Sequence, residues 1–282
     1  SSDLYQYVFD SIPRGEHHFS DIRIKTGDIF GLIEKEVIYT IKEKFLVYPH
    51  YIDMVYRQLE SRFEQGATAS NVNLQRDTAI AVGVREYKPG DRFSWIDWKS
   101  SARKNDIMTK EFEQQQSHDV VIFMDRTKSS LFEQVVTFSA SLSKAILRKG
   151  AQVSFVSIGE EKSIYPLRSG EMQQHQIFYH LAKVQDDSKI PFAQTIESEI
   201  KKMYQQVSFM IVTSTLTEDM LRTFEKLSYR KINMIIFIVK EKATQLTSQE
   251  LSILETLRKR NVFAKVVYEG HYSEVVYEVS RS

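Results

Sequence analysis

The chain has 282 residues, with 38 lysines and arginines against 37 aspartates and glutamates and a formal net charge of +1. That balance excludes a whole-protein field that would gather nucleic acid or an anionic membrane, so partners have to be argued locally. The lack of cysteine excludes a disulfide framework, a thiolate nucleophile and thiolate-bound zinc, and no apolar run reaches the ~18 residues that span a bilayer.

The opening SSDLYQYVFD has no signal-peptide pattern and no methionine, which points to a piece of a longer protein. Residues 14–49 read as roughly five short strands, with Ile22 and Ile24 alternating with polar neighbours, a β-branched run at Val37 to Ile41, and an apolar run at Phe45 to Tyr48. So few short strands bury little alone, and residues 1–51 are therefore expected to form a small β-sandwich-like domain leaning on the rest of the chain. His17 and His18 look like a metal pair, but neighbours on a strand point to opposite faces. Ile52, Val55, Tyr56, Leu59 and Phe63 predict a helix, and the polar stretch 65–77 predicts a loop.

Residues 84–113 hold both tryptophans, Trp95 and Trp98. Around them stand Arg85, Lys88, Arg92, Lys99, Arg103, Lys104 and Lys110 against Glu86, Asp91, Asp97, Asp106, Glu111 and Glu113. Such near-neutral density suggests internal pairing rather than a polyanion footprint. Pro89-Gly90-Asp91 predicts a turn; Phe93 to Ala102 then reads as a short helix and Asp106 to Glu113 as an extended arm. The run Arg85-x-Tyr87-x-x-Gly90-Asp91, then Ile96-Asp97-Trp98-Lys99 and Ser101-Ala102-Arg103, then Glu111-Phe112-Glu113, closely resembles the signature of the bacterial domain-of-unknown-function family fifty-eight. The strings RGEHHF and GDIFGL resemble the stretch preceding that signature. The resemblance implies a protein held in the cell membrane by transmembrane helices ahead of this region and absent from this chain. It also implies a MoxR-type AAA+ ATPase as partner, which puts the soluble part on the cytoplasmic face.

Beyond the signature, strand and helix patterns alternate. Strands are predicted at 120–125, 153–158, 163–167, 207–213, 232–239 and 262–268; the third is an edge strand because Pro166 would break a central ladder, and the fifth, the most hydrophobic, is expected at the centre. Helical stripes run through Leu131 to Ile146, Ile177 to Val184, Ala193 to Met203 and Met220 to Leu227, and a capping box at Thr247 to Glu250 opens one through Leu257. This alternation predicts a doubly wound α/β domain with a mostly parallel sheet over residues 117–282, joined to the β-rich module 1–51 by the helix, loop and signature segment 52–116. The signature is expected to brace the first strand.

In such a sheet ligands bind beyond the carboxyl ends of the strands, where the strand order reverses. There the string Asp125-Arg126-Thr127-Lys128-Ser129 resembles the first loop of the metal-ion-dependent adhesion site of von Willebrand factor A-like domains, in which an aspartate and two hydroxyls hold a divalent cation. Thr195 stands where that pattern brings a threonine, without the usual glycines. Ser214 stands where it brings an aspartate. One missing carboxylate weakens a site for a hard cation, so a degenerate site with weak or no affinity for Mg²⁺ or Mn²⁺ is expected. Asp219 is placed in the first turn of a helix, where the dipole favours it.

No nucleophile elbow, phosphate loop, HExxH or paired-carboxylate motif is present; His118, His175 and His180 have no evident partner. These readings favour a non-enzymatic protein-interaction module, with no catalytic residues and with Arg85, Tyr87, Asp91, Asp97, Trp98, Lys99, Arg103 and Glu111 as its signature or interaction set. The alternative is a metal-dependent hydrolase using the Asp125 loop, which needs a second carboxylate and a general base in one cleft. Nucleic-acid binding is disfavoured by the charge balance.

Overall fold

The structure, a computed structural model, describes residues 11–30, 32–56, 80–113, 119–203, 207–242 and 244–272. The chain divides into two compact units, residues 1–58 with 118–282 and residues 59–117. In place of five short strands, the first unit opens with two long ones, β1 (Gly15–Gly27) and β2 (Glu34–Val47), in an antiparallel hairpin. Only Gly27-Asp28 breaks the chain, where the Asp28 amide donates to the Ile33 carbonyl at 3.1 Å. Lys42-Glu43-Lys44 looks like a gap between strands, yet Glu43 and Lys44 pair with Phe19 and His18 inside the ladder. Their side chains are exposed, so polarity there marks a solvated hairpin rather than a turn. At the tip Ile29, Phe30, Leu32 and Ile33 are between 70 and 98% exposed.

The second unit is built on β3 (Ile80–Glu86) and β4 (Met108–Glu113), an antiparallel pair. A 3-10 turn at Phe93–Trp95 and a short helix, α1 (Trp98–Lys104), connect them. This is the turn, helix and arm expected of residues 84–113. Asp97 starts α1 by accepting the Ser100 amide at 2.9 Å, a side-chain cap that satisfies a donor the helix cannot. Asn105 ends it in the left-handed conformation, φ 55°, which asparagine tolerates. Ser101 ties helix to strand: its hydroxyl donates to the Asp97 carbonyl at 2.8 Å and accepts the Met108 amide at 2.9 Å.

The rest of the first unit alternates. It runs β5 (Val120–Asp125), α2 (Phe132–Arg148), β6 (Val153–Ile158), β7 (Lys162–Arg168), α3 (Glu171–Lys183), α4 (Phe192–Ile200), β8 (Ser208–Thr213), α5 (Glu218–Tyr229), β9 (Met234–Lys240), α6 (Ser248–Lys259) and β10 (Phe263–Tyr268). The six strands form one sheet in the order β10-β9-β8-β5-β6-β7, parallel except for β7. Pro166 thus lies on the antiparallel edge, where its missing N–H costs no interior bond. β9 is buried along its whole length, but it lies one place from the edge and β5 and β8 take the centre. Continuous apolarity reports burial on both faces, which an interior strand has wherever it sits.

Alternate residues serve the two faces. Val121, Phe123, Phe209, Ile211, Ile236 and Ile238 point into a core closed by α4, α5 and α6. On the other face α2 brings Phe138 against Phe237 at 5.2 Å. The hairpin docks on this second layer. Arg14 donates to Glu133 at 2.8 and 2.9 Å and to the Leu181 and Val184 carbonyls at 2.8 and 2.6 Å, and Glu16 pairs with Lys183 at 2.9 Å. Residues 52–56, expected to open a helix, run instead as a non-helical strap. The Ile52 amide donates to Ser141 Oγ, and Lys144 holds Asp53 at 2.9 Å while lying over the Tyr51 ring. The remainder of that expected helix and the loop 65–77 lie outside the described residues.

Candidate functional site

The strand order reverses at β5: the chain leaves it toward β6 and β7, then returns to its other side with β8. The register sets Met124 beside Val212, so Asp125 and Thr213 end their strands at the same level. Asp125 is buried, and three donors reach its carboxylate. The Thr127 amide and hydroxyl donate to Oδ1 at 2.8 and 2.6 Å, and the Thr213 hydroxyl donates to Oδ2 at 2.7 Å. Beside them Ser214 Oγ donates to Ser129 Oγ at 3.0 Å, and Ser129 accepts the Leu131 amide at 3.1 Å. Thr127 is exposed and Ser129 half-buried, so these two residues are the accessible part of the cluster over a buried carboxylate. Burial pushes the Asp125 carboxyl up, against the bonds from Thr127 and Thr213 that favour its charged form.

Of the five residues expected to form the metal site, Asp125, Thr127 and Ser129 of the D-x-T-x-S string and Ser214 of a later loop therefore come together. Thr195 lies in α4, its hydroxyl turned back toward the Pro191 carbonyl at 3.5 Å. Thr213 was missed, although it ends the strand beside Ser214; the parallel register, which places it level with Asp125, is the signal that identifies it.

Arg126 was also missed, because the D-x-T-x-S pattern leaves its position free. The side chain is buried and gathers two segments. Its guanidinium donates to the Gln185 carbonyl at 2.9 Å, the Glu161 carbonyl at 3.2 Å and Asp187 Oδ2 at 2.7 Å. A Cβ on Gly159, just after β6, would run into the Arg126 guanidinium and Asp187, so a side chain there has to displace that pair. The adjoining cavity of about 290 Å³ is lined by Arg126, Asp187, Lys183 and His180 among others. Burial, with Arg126 and Arg14 nearby, pushes His180 down to about 4. His175 is exposed beside Tyr48, and His118 lies outside the described residues. Asp219 does occupy the first turn of α5, behind a Thr217 cap.

A hard cation takes oxygen ligands and gains affinity from formal negative charge. The cluster offers one carboxylate, already accepting three hydrogen bonds, and otherwise neutral hydroxyls. That donor set does not fit a tightly held Mg²⁺ or Mn²⁺.

The signature residues sort into two groups. Arg85 grips Asp91 through two bonds of 2.7 and 2.8 Å, and the Lys88 amide donates to the same carboxylate at 2.9 Å, closing the turn. Arg85, then the Lys88 amide, hold Asp91 down at about 2. Glu111 adds to the negative field at Arg85, Tyr87 stacks with Phe93 at 6.4 Å, and Asp97 caps α1. Trp98, Lys99 and Arg103 instead point outward.

The profile of the family described as "Protein of unknown function DUF58" matches residues 83–262, a span that includes the whole signature run. The chain is similar to "Uncharacterized protein YeaD" of Bacillus subtilis (strain 168), with 37% identity over 271 residues, 96% of this chain and 67% of that relative. Among solved structures, proximal thread matrix protein 1 from the mussel byssus is similar over 58% of this chain, with 11% identity and a TM-score of 0.38. This match spans less than half of that protein, 46% of its chain.

Proposed function

The chain belongs to the DUF58 family, and on that premise we propose that it is a non-enzymatic protein-interaction module that docks its partner at the carboxyl edge of the six-stranded sheet. The observation that carries the reading is the use made of Asp125: both carboxylate oxygens are taken by Thr127 and Thr213, so the group ties two loops together at the sheet's carboxyl edge instead of standing open. A central β5, an antiparallel edge at β7 and a D-x-T-x-S loop at the switch point support a von Willebrand factor A-like reading of the domain. On that reading the adhesion site is degenerate, and a divalent cation enters it only weakly. The partner that the signature resemblance implies is a MoxR-type AAA+ ATPase, with the module on the cytoplasmic face of the cell membrane and its anchor elsewhere in the protein.

Direct binding between the purified chain and a purified MoxR-type ATPase from the same bacterium tests the proposal. Thr127→Glu and Ser129→Glu, each shown by circular dichroism to be folded, are expected to weaken binding by at least about tenfold, because each buries a new charge in the contact. Undiminished binding by both variants overturns the reading. So does turnover of phosphoester or peptide substrates by the chain alone that disappears in Asp125→Ala.

A further inference from the structure

The charges of the signature run, residues 84–113, nearly balance in number but not in position. Two of its carboxylates, Asp91 and Asp97, are taken up internally, one by Arg85 and one by the first turn of α1. Helix α1 itself, Trp98-Lys99-Ser100-Ser101-Ala102-Arg103-Lys104, has no acidic residue. Its serines face inward, while Trp98, Lys99, Ala102, Arg103 and Lys104 are exposed. Among the described residues Lys99, Arg103 and Lys104 form no ion pair. At a spacing of four, Trp98 and Ala102 make one outward row and Lys99 and Arg103 the row beside it.

Helix stability explains only part of this. Cations in the last turn complement the dipole, which accounts for Arg103 and Lys104. Lys99 stands in the first turn, where a cation opposes that dipole. Trp98 leaves 70% of its surface in water next to it, although an indole gains most from burial. An exposed tryptophan flanked by cations combines the residue types that dominate binding energy at protein interfaces.

We propose that the outward face of α1, formed by Trp98, Lys99 and Arg103, docks an acidic segment of another protein, one carrying carboxylates on either side of a bulky apolar residue. Charge complementarity selects the acid: three cations with no ion pair among the described residues lie along a helix about 10 Å long, which three or four residues of extended chain span. The apolar residue covers the indole, and the carboxylates meet Lys99 and Arg103 at its edge. A nucleic acid is a poorer fit, because so short a helix meets few phosphates and the chain as a whole carries a charge of only +1. This surface belongs to the other unit from the Asp125 loop, and its test uses different variants.

The probe is a short synthetic peptide alternating glutamate with leucine, titrated into the full chain carrying Trp95→Phe so that Trp98 alone reports. Emission typical of a solvent-exposed indole is expected before addition, with a blue shift on saturation. Lys99→Glu with Arg103→Glu is expected to weaken binding by at least about tenfold, and a lysine–leucine peptide should bind that variant better than it binds the original. Trp98→Ala should bind no peptide detectably by anisotropy of a labelled probe. The proposal is overturned by emission typical of a buried indole in the free chain, by peptide binding indifferent to the double charge reversal, or by tighter binding of a single-stranded oligonucleotide or of phosphatidylserine vesicles than of the peptide.

Discussion

The hydroxyl of Thr213 donates to the buried carboxylate of Asp125 at 2.7 Å, fastening the ends of two adjacent parallel strands. Thr213 is itself bridged to the next loop, accepting the Thr215 amide at 3.2 Å and lying 3.0 Å from the Thr215 carbonyl. Removing the hydroxyl leaves Asp125 Oδ2 buried without its donor. Thr213→Val should therefore lower stability by about 1–3 kcal/mol, the range for an unsatisfied buried polar group. Urea denaturation would show this as a lower midpoint at unchanged slope. If Asp125→Asn is then added, the second change should cost less than it does alone, since the two share one bond; strictly additive losses would show that the pair is not coupled.

Burial sets the pH dependence of the same region through His180. Its folded value of about 4 lies below the ordinary 6.5, so the native state binds fewer protons than the unfolded chain between these limits. The contribution of His180 to stability is complete above pH 6.5 and is lost as pH falls toward 4, at about 1.4 kcal/mol per unit. Asp125 acts in the opposite sense, because its raised value means that deprotonation costs stability as pH rises. A chain carrying His180→Phe should lose less stability between pH 6.5 and 4.5 than the original, measured by denaturant midpoint. Parallel pH profiles for the two would remove His180 from the account.

The metal expectation is testable without any partner. One carboxylate with three hydrogen bonds already made gives little charge for a hard cation. Calorimetric titration with MgCl₂ and MnCl₂ should show no binding tighter than about millimolar, and Asp125→Ala should not change the result. Sub-micromolar binding abolished by that substitution would contradict the proposed degenerate site.

The limits of what the sequence reveals come from which interactions are local. Strand and helix order in residues 120–268 was legible because each buried strand is a continuous apolar run and each helix has a stripe at its own period. The Thr247 capping box was legible for the same reason, as a cap involves residues three apart. The hairpin was misjudged as five strands because both its faces are largely solvated, so Lys42-Glu43-Lys44 resembles a break. At the site, Asp125 and Thr127 are neighbours in the string, whereas Thr213 lies 88 positions from Asp125 and meets it only through the β5–β8 register. Arg126 holds segments 35 to 61 positions away. No periodicity encodes such a contact.

The most buried ion pair of the described residues lies at the same carboxyl edge of the sheet, one strand beyond Thr213, where Lys240 at the end of β9 meets Glu250 in the first turn of α6 at 2.6 Å, with both side chains less than a tenth exposed. Glu250 also accepts the Thr247 amide at 3.1 Å, so one carboxylate serves both a strand end and a helix cap. Burial alone would raise Glu250, but Lys240 and the Thr247 amide together hold it below its ordinary value. Glu250→Ala leaves an ammonium group buried without a counter-charge and opens the cap, so a loss of about 3–5 kcal/mol is expected. Lys240→Met combined with Glu250→Gln removes both charges and keeps a side chain able to reach the Thr247 amide, and the loss should shrink to roughly 1 kcal/mol or less. Thermal and urea unfolding of the three proteins separate these cases. A double variant as unstable as Glu250→Ala would mean that the cap, rather than the stranded Lys240, sets the penalty.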